Sequence, residues 1–103
     1  MRKTLLLCVA ALASCTGKSD TFTVADPDSL AKSAVLQLDR HAQSLARDGK
    51  RLSTVRQIRR DAHGRILITY ADGRKVDCPI GYVTQGAMQR WDFRLSPTAC
   101  QRL

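Results

Sequence analysis

Asp26-Pro27-Asp28-Ser29-Leu30-Ala31-Lys32-Ser33-Ala34-Val35-Leu36-Gln37-Leu38-Asp39-Arg40-His41-Ala42-Gln43-Ser44-Leu45-Ala46-Arg47-Asp48-Gly49 carries the longest apolar periodicity in the chain. Ala31, Val35, Leu38, Ala42 and Leu45 recur at steps of four and three, which places them on one stripe of a helix, and Leu30 and Ala34 widen it. Asp26 offers an oxygen to cap free amides, Pro27 suits the first helical position, and Asp28 sits at the positive end of the helix dipole. Arg47 falls in the last turn, and Gly49 is suited to a left-handed stop. The pattern predicts one amphipathic helix over 27–48.

Beyond Gly49 the periodicity shortens to two. Thr54 to Arg60 reads as a strand with poor alternation, and Asp61-Ala62-His63-Gly64 as a turn. Arg65 to Tyr70 and Arg74 to Cys78 form a hairpin whose register can be argued. A two-residue loop at Asp72-Gly73 would set Ile68 opposite Asp77. A three-residue loop of 71–73 pairs Ile68 with Val76 and Ile66 with Cys78, keeping one face apolar, so this loop is predicted, with Gly73 at positive φ. Pro79 ends that strand or marks an edge. Ile80 to Thr84 is a candidate short strand, with a turn at Gln85-Gly86. Gln89 to Leu95 alternates cleanly, with Trp91, Phe93 and Leu95 on one face and Arg90, Asp92 and Arg94 on the other; Pro97 closes it. The expected architecture is α+β: one N-terminal helix packed on an antiparallel meander of about four strands, over residues 26–103.

Upstream, residues 15–25 begin polar, which is the composition of a tether. Phe22 and Val24 alternate with Thr, so its last part is also compatible with a short edge strand. Before the tether, Met1-Arg2-Lys3 is a short positive region, and Leu5 to Ala13 is an uncharged apolar run too short to span a bilayer as a helix. The next quartet, Leu12-Ala13-Ser14-Cys15, resembles the lipobox of bacterial lipoprotein precursors. The resemblance implies a signal peptide over 1–14, transfer of diacylglycerol to the Cys15 thiol, cleavage before it, and acylation of the new amino group with a palmitate-like chain. Three acyl chains exceed the two-signal threshold for stable anchoring. In that class Asp after the cysteine usually retains the protein at the inner membrane. Thr16 stands here, which implies the periplasmic face of the outer membrane. The competing reading is a short buried segment of a cytosolic protein with Cys15 as a core residue. The resemblance covers only the first 16 residues.

If residues 1–14 are removed and Cys15 is acylated, Cys78 and Cys100 are the remaining thiols. In an oxidising periplasm such a pair suggests a disulfide. Closing a loop of about 23 residues is worth roughly 3 kcal/mol in the chain-entropy account. A redox or metal pair is the alternative, but the separation lacks the Cys-x-x-Cys spacing that tunes thiolates.

No catalytic constellation stands out. His41 flanks the apolar stripe and His63 lies in a turn, and nothing local joins them to a metal site. There is no Gly-x-Ser-x-Gly elbow and no phosphate-binding glycine loop. A paired-carboxylate hydrolase would need two of the scattered Asp residues to converge. The sequence therefore predicts a protein that is not an enzyme and uses no metal or cofactor.

The chain of 103 residues has a formal net charge of +8, and its nine acidic residues are all Asp. Arg47, Lys50, Arg51, Arg56, Arg59, Arg60, Arg65, Arg74 and Lys75 fall around the expected helix end and first hairpins. One reading is a solvated, soluble surface. The functional reading is contact with an anionic partner through Arg56, Arg59, Arg60, Arg65, Arg74 and Lys75: lipid phosphate, an anionic envelope polymer or an acidic envelope protein. A periplasmic anchor would keep the domain away from nucleic acid. The expected function is a non-enzymatic binding or assembly module of the cell envelope, held in the outer membrane by its N-terminal lipid. The alternative is a tethered inhibitor of a periplasmic or incoming hydrolase.

Overall fold

In the computed structural model, which describes residues 19–103, burial follows a period of two in the long strands. Nine strands form: β1 (Ser19–Ala25), β2 (Ala31–Leu38), β3 (His41–Ser44), β4 (Ala46–Asp48), β5 (Arg51–Gln57), β6 (Ala62–Tyr70), β7 (Lys75–Val83), β8 (Arg90–Leu95) and β9 (Cys100–Arg102). They make a five-stranded sheet in the order β4-β5-β1-β8-β9 and a four-stranded sheet in the order β3-β2-β6-β7. The proposed signal peptide, Cys15 and residues 16–18 lie outside the described residues.

The α+β expectation is overturned: among the described residues there is no helix, and the fold is all-β. Residues 27–48 fold as β2, β3 and β4 instead. Part of the apolar set satisfies both periods, because Ala31, Ala34 and Leu38 lie on the helical stripe and are also buried in β2. Leu36 tells the two apart. At about 100° per residue it stands roughly 140° from Ala31 on a helix, off the apolar stripe. In the structure it is 1 % exposed. Ala42, on the helical stripe, is exposed. Helix propensity is a weak local prior, and pairing of β2 with β6 overrides it. Asp39 breaks the run at φ 52°, turning the chain into β3.

The meander is corrected too. β1, placed in the expected tether, is the middle strand of the five, antiparallel to β5 and parallel to β8. Phe22 and Val24, both fully buried, give it an apolar face that needs cover. The β6–β7 hairpin matches its predicted register, with Ile66 opposite Cys78 and Ile68 opposite Val76. Its loop spans 71–73, with Gly73 at φ 95°. Strand β7 runs through Pro79 to Val83, with a register shift opposite Gly64-Arg65; it is an edge strand, where a missing amide is tolerated. Gly64 is required for a different reason: a Cβ there would overlap the Leu38 side chain and come within 2.9 Å of the Gln37 carbonyl oxygen.

Apolar residues from the two sheets join in one core. Phe22, Val24, Leu52, Trp91, Phe93 and Leu95 come from one; Leu36, Leu38, Ile66, Ile68, Tyr70 and Val83 come from the other. The two lateral sides are closed by covalent chain. On one, Leu45 sits buried between β3 and β4, so that a single run crosses from the second sheet to the first. On the other, a disulfide joins Cys78 of β7 to Cys100 of β9 with a Cα–Cα distance of 5.1 Å.

The β1–β2 link is organised by Asp26, which is fully buried. Its carboxylate accepts from the amides of Leu30 (2.8 Å) and Ala31 (3.0 Å) and from the Arg47 guanidinium (2.9 Å). Burial pushes the carboxyl pKa up, but the Ala31 amide, Arg47 and the Leu30 amide outweigh it and hold the pKa below the ordinary value. The oxygen expected to cap a helix caps a turn between sheets.

Two predictions follow from these ties. Replacing Cys78 and Cys100 together by Ala should cost about 3 kcal/mol in urea denaturation, close to the loss on reducing the parent; a variant as stable as the oxidised parent would show the bond to be dispensable. Asp26→Asn should cost about 2 kcal/mol at pH 7, because it strands the Arg47 charge and loses an acceptor. Since the folded pKa of Asp26 is depressed, its contribution is present above the unfolded carboxyl value of about 3.9 and is lost as pH falls through the folded value. The gap between parent and variant should therefore close below about pH 4, and a gap that persists unchanged at lower pH would contradict the assignment.

Candidate functional site

One end of the sandwich gathers the β2–β3 turn, the β5–β6 link and the start of β1. There, Leu38, Ile58 and Ala62 are buried and, with Arg40, His41, Arg56, Arg59 and Arg60, line an open basin of about 790 Å³. A smaller hollow of about 470 Å³ shares Gln57, Ile58 and Arg59 with it and extends to Gln85 and Gly86.

Local structure explains the placement of each guanidinium. Arg56 lies near the end of β5 and donates to Gln43 Oε1 of the neighbouring β3 at 2.8 Å. Gln43 in turn donates to Thr54 Oγ1 and to the Val55 carbonyl, so Arg56 is held along the wall. Ile58, 5 % exposed, pins the link, and Arg59 and Arg60 next to it are exposed and line the basin with it. Arg40 is exposed in the turn that Asp39 makes possible, with the Asp39 amide donating to the His63 carbonyl at 2.9 Å. Among the described residues, none of these four arginines forms a salt bridge.

Three carboxylates share this end, of which Asp20, near the start of β1, is fully buried. Asp39 borders the basin. Asp61 accepts from the Gln85 amide at 2.8 Å and from the Tyr82 hydroxyl at 3.2 Å. The Asp61 charge, then its hydrogen bond, raises the Tyr82 pKa above its ordinary value. His63 meets the Tyr82 ring edge-on, with centroids 5.5 Å apart. Among the described residues no group of three His, Cys or Asp is placed to hold a metal ion.

Of the arginines and lysine expected to share a surface, Arg56, Arg59 and Arg60 meet here. Arg65 lies on the outer face of β6, bound to Gln37 Oε1 and Asp77 Oδ2, both at 3.0 Å. Arg74 lies at the opposite end, bound to Asp72 at 2.8 Å and stacked 4.6 Å from the Tyr70 ring centroid. Lys75 is exposed beside it, away from the basin. Arg40 was missed and His41 was read only as a flank of the apolar stripe, because the helical reading carried them along its axis. An Asp-Arg pair between two alternating runs was the available signal. Several guanidinium forks around one hollow can take the oxygens of phosphate or carboxylate groups from more than one direction. No family model, curated protein or solved structure matches the chain.

Unpaired like charges at one end repel each other, and salt screens exposed charges beyond roughly 8 Å. The melting temperature of the parent should therefore rise as salt is raised from low ionic strength. In a variant carrying Arg40→Gln, Arg59→Gln and Arg60→Gln it should start higher and respond less. Identical salt curves for the two proteins would show that these side chains do not sense one another.

Proposed function

We propose that this protein is a lipid-anchored, non-enzymatic binding or assembly module of the bacterial envelope, tethered through Cys15 at the periplasmic face of the outer membrane. The observation that carries the reading is the arginine basin at the end where β1 begins, four residues after the lipobox cysteine. It supports recognition of an anionic envelope component by charge and by bidentate hydrogen bonds rather than by covalent chemistry. The disulfide and the β3–β4 crossing support the same role, since a preorganised surface loses less freedom on binding.

The Cys15 assignment makes a direct prediction. Intact mass of protein extracted from membranes should show loss of residues 1–14 and acyl chains on Cys15. Cys15→Ser should remain uncleaved and carry no acyl chain. Normal processing of that variant would falsify the lipoprotein reading, and cross-linking in intact envelopes would then have to find the partner of a soluble protein.

A further inference from the structure

The chain enters the sandwich at Ser19, which pairs with Gln57, and Gln57 lines both hollows. Four residue steps separate Cys15 from Ser19, so their Cα atoms stand at most about 14 Å apart whatever path the segment takes. The opposite end, with the 71–73 loop, lies one strand length further away. For the nine residues of β6 that is roughly 27 Å at 3.3 Å per residue. An acyl anchor on Cys15 would therefore hold the basin end close to the bilayer.

The chemistry of that end matches what it would meet. Arg40, Arg56, Arg59 and Arg60 outnumber Asp20, Asp39 and Asp61; Asp20 is fully buried, and both oxygens of Asp20 and of Asp61 already accept protein hydrogen bonds. Beside them Tyr82 and Met88 are each 57 % exposed, two of the four large apolar side chains exposed in the described structure. Guanidinium groups with a tyrosine and an apolar tip suit an interface where phosphates overlie acyl chains. The far end also carries exposed cations, Lys50, Arg51 and Lys75, while Arg74 is paired with Asp72. The basin end is set apart by the short reach from Ser19 to Cys15 and by exposed Tyr82 and Met88.

We infer that this end docks on an anionic phospholipid surface, the same leaflet that receives the acyl chains, with the arginines on headgroup phosphates and Tyr82 and Met88 at headgroup depth. The inference rests on the lipoprotein reading of Cys15. The domain then stands end-on rather than hanging free, and its outer sheet faces and far end turn toward the periplasm.

The test uses the full-length acylated protein in phosphatidylcholine vesicles, with or without about 30 mol % phosphatidylglycerol. A fluorophore is placed through Gln85→Cys at the basin end or Lys75→Cys at the far end, and energy transfer to headgroup-labelled lipid is measured. Transfer from the Gln85 position should exceed that from Lys75 several-fold in the anionic vesicles at low salt. It should fall toward the Lys75 value as salt rises or when phosphatidylglycerol is omitted. Each arginine near an anionic surface is worth about fivefold in the docked population, so Arg40→Gln with Arg59→Gln and Arg60→Gln should remove most of the difference while the protein stays vesicle-bound. The near-ultraviolet signal of Trp91 reports whether that variant is folded; if it is not, Arg60→Gln alone should give a smaller drop in the same direction. Equal transfer from the two positions, or indifference to phosphatidylglycerol, overturns the inference while leaving the anchor intact. So does sedimentation with isolated peptidoglycan that depends on the same arginines while both labels stay far from the headgroups. An unacylated Cys15 in the mass measurement overturns the lipoprotein reading itself, and this inference with it.

Discussion

A buried carboxylate at the crossing between two sheets constrains everything on either side of it. Asp26 must leave β1 in one sheet and deliver the chain to β2 in the other, within five residues. It does so by accepting the amides of Leu30 and Ala31, while its own amide donates to the Lys50 carbonyl at 2.8 Å and its carbonyl accepts from Ser29. Arg47 completes the set by bonding Asp26, the Ala31 carbonyl and the Gly49 carbonyl together. The β1–β2 crossing, the start of β2 and the β4–β5 hairpin are thus fixed to one another by a single ionic contact. Removing the Asp26 carboxylate strands the Leu30 and Ala31 amides together with Arg47, and removing Arg47 leaves a buried charge held by two amides alone, which is why this contact governs more structure than its net energy suggests.

Asp20 does comparable work at the other end of β1. It is fully buried and accepts from the Gln89 amide and from Trp91 Nε1, both at 3.1 Å. Arg102 of β9 lies over the same indole, 4.2 Å from its ring centroid. These bonds seat β8 beside β1 in the parallel arrangement that no hairpin can produce. The small core is therefore framed by two buried carboxylates, one at each end of its central strand.

This division explains which parts of the fold were legible in the sequence. The β6–β7 register was readable because its determinants are local: a three-residue loop, a glycine at positive φ, and apolar residues that coincide in only one pairing. The alternation of Trp91, Phe93 and Leu95 was readable for the same reason. The neighbours of β1 were not, since Asp20 and Trp91 are 71 residues apart in the chain and no local pattern links them. The stretch 27–48 misled because Asp26, Pro27 and the apolar residues Ala31, Ala34 and Leu38 serve a turn and a strand as well as a helix. Leu36 alone stood outside the helical stripe. The site was legible in the same measure. Arg56, Arg59 and Arg60 are close in sequence and meet in space, whereas Arg65 and Arg74 find carboxylates that only the strand pairing and the 71–73 turn supply. Arg40 and His41 could join the basin only once the helix gave way to a turn.

The placement of charge relative to the covalent closures has a physical logic. Four arginines with no salt bridge among the described residues repel one another, and a marginal core must absorb that cost. Here the repulsion falls on a turn and a link, behind which Leu38, Ile58 and Ala62 remain buried. The lateral edges, where two small sheets would otherwise part, are held by chain crossing at Leu45 and by the Cys78–Cys100 bond. Neither closure passes through the basin, so substitutions among its exposed arginines alter the field at that end without loosening the frame. The disulfide ties the short β9 edge to β7 and stands away from the basin. An anionic surface brought against the basin would relieve the repulsion directly. Binding and stability are then linked with the same sign: whatever neutralises the arginines stabilises the sandwich.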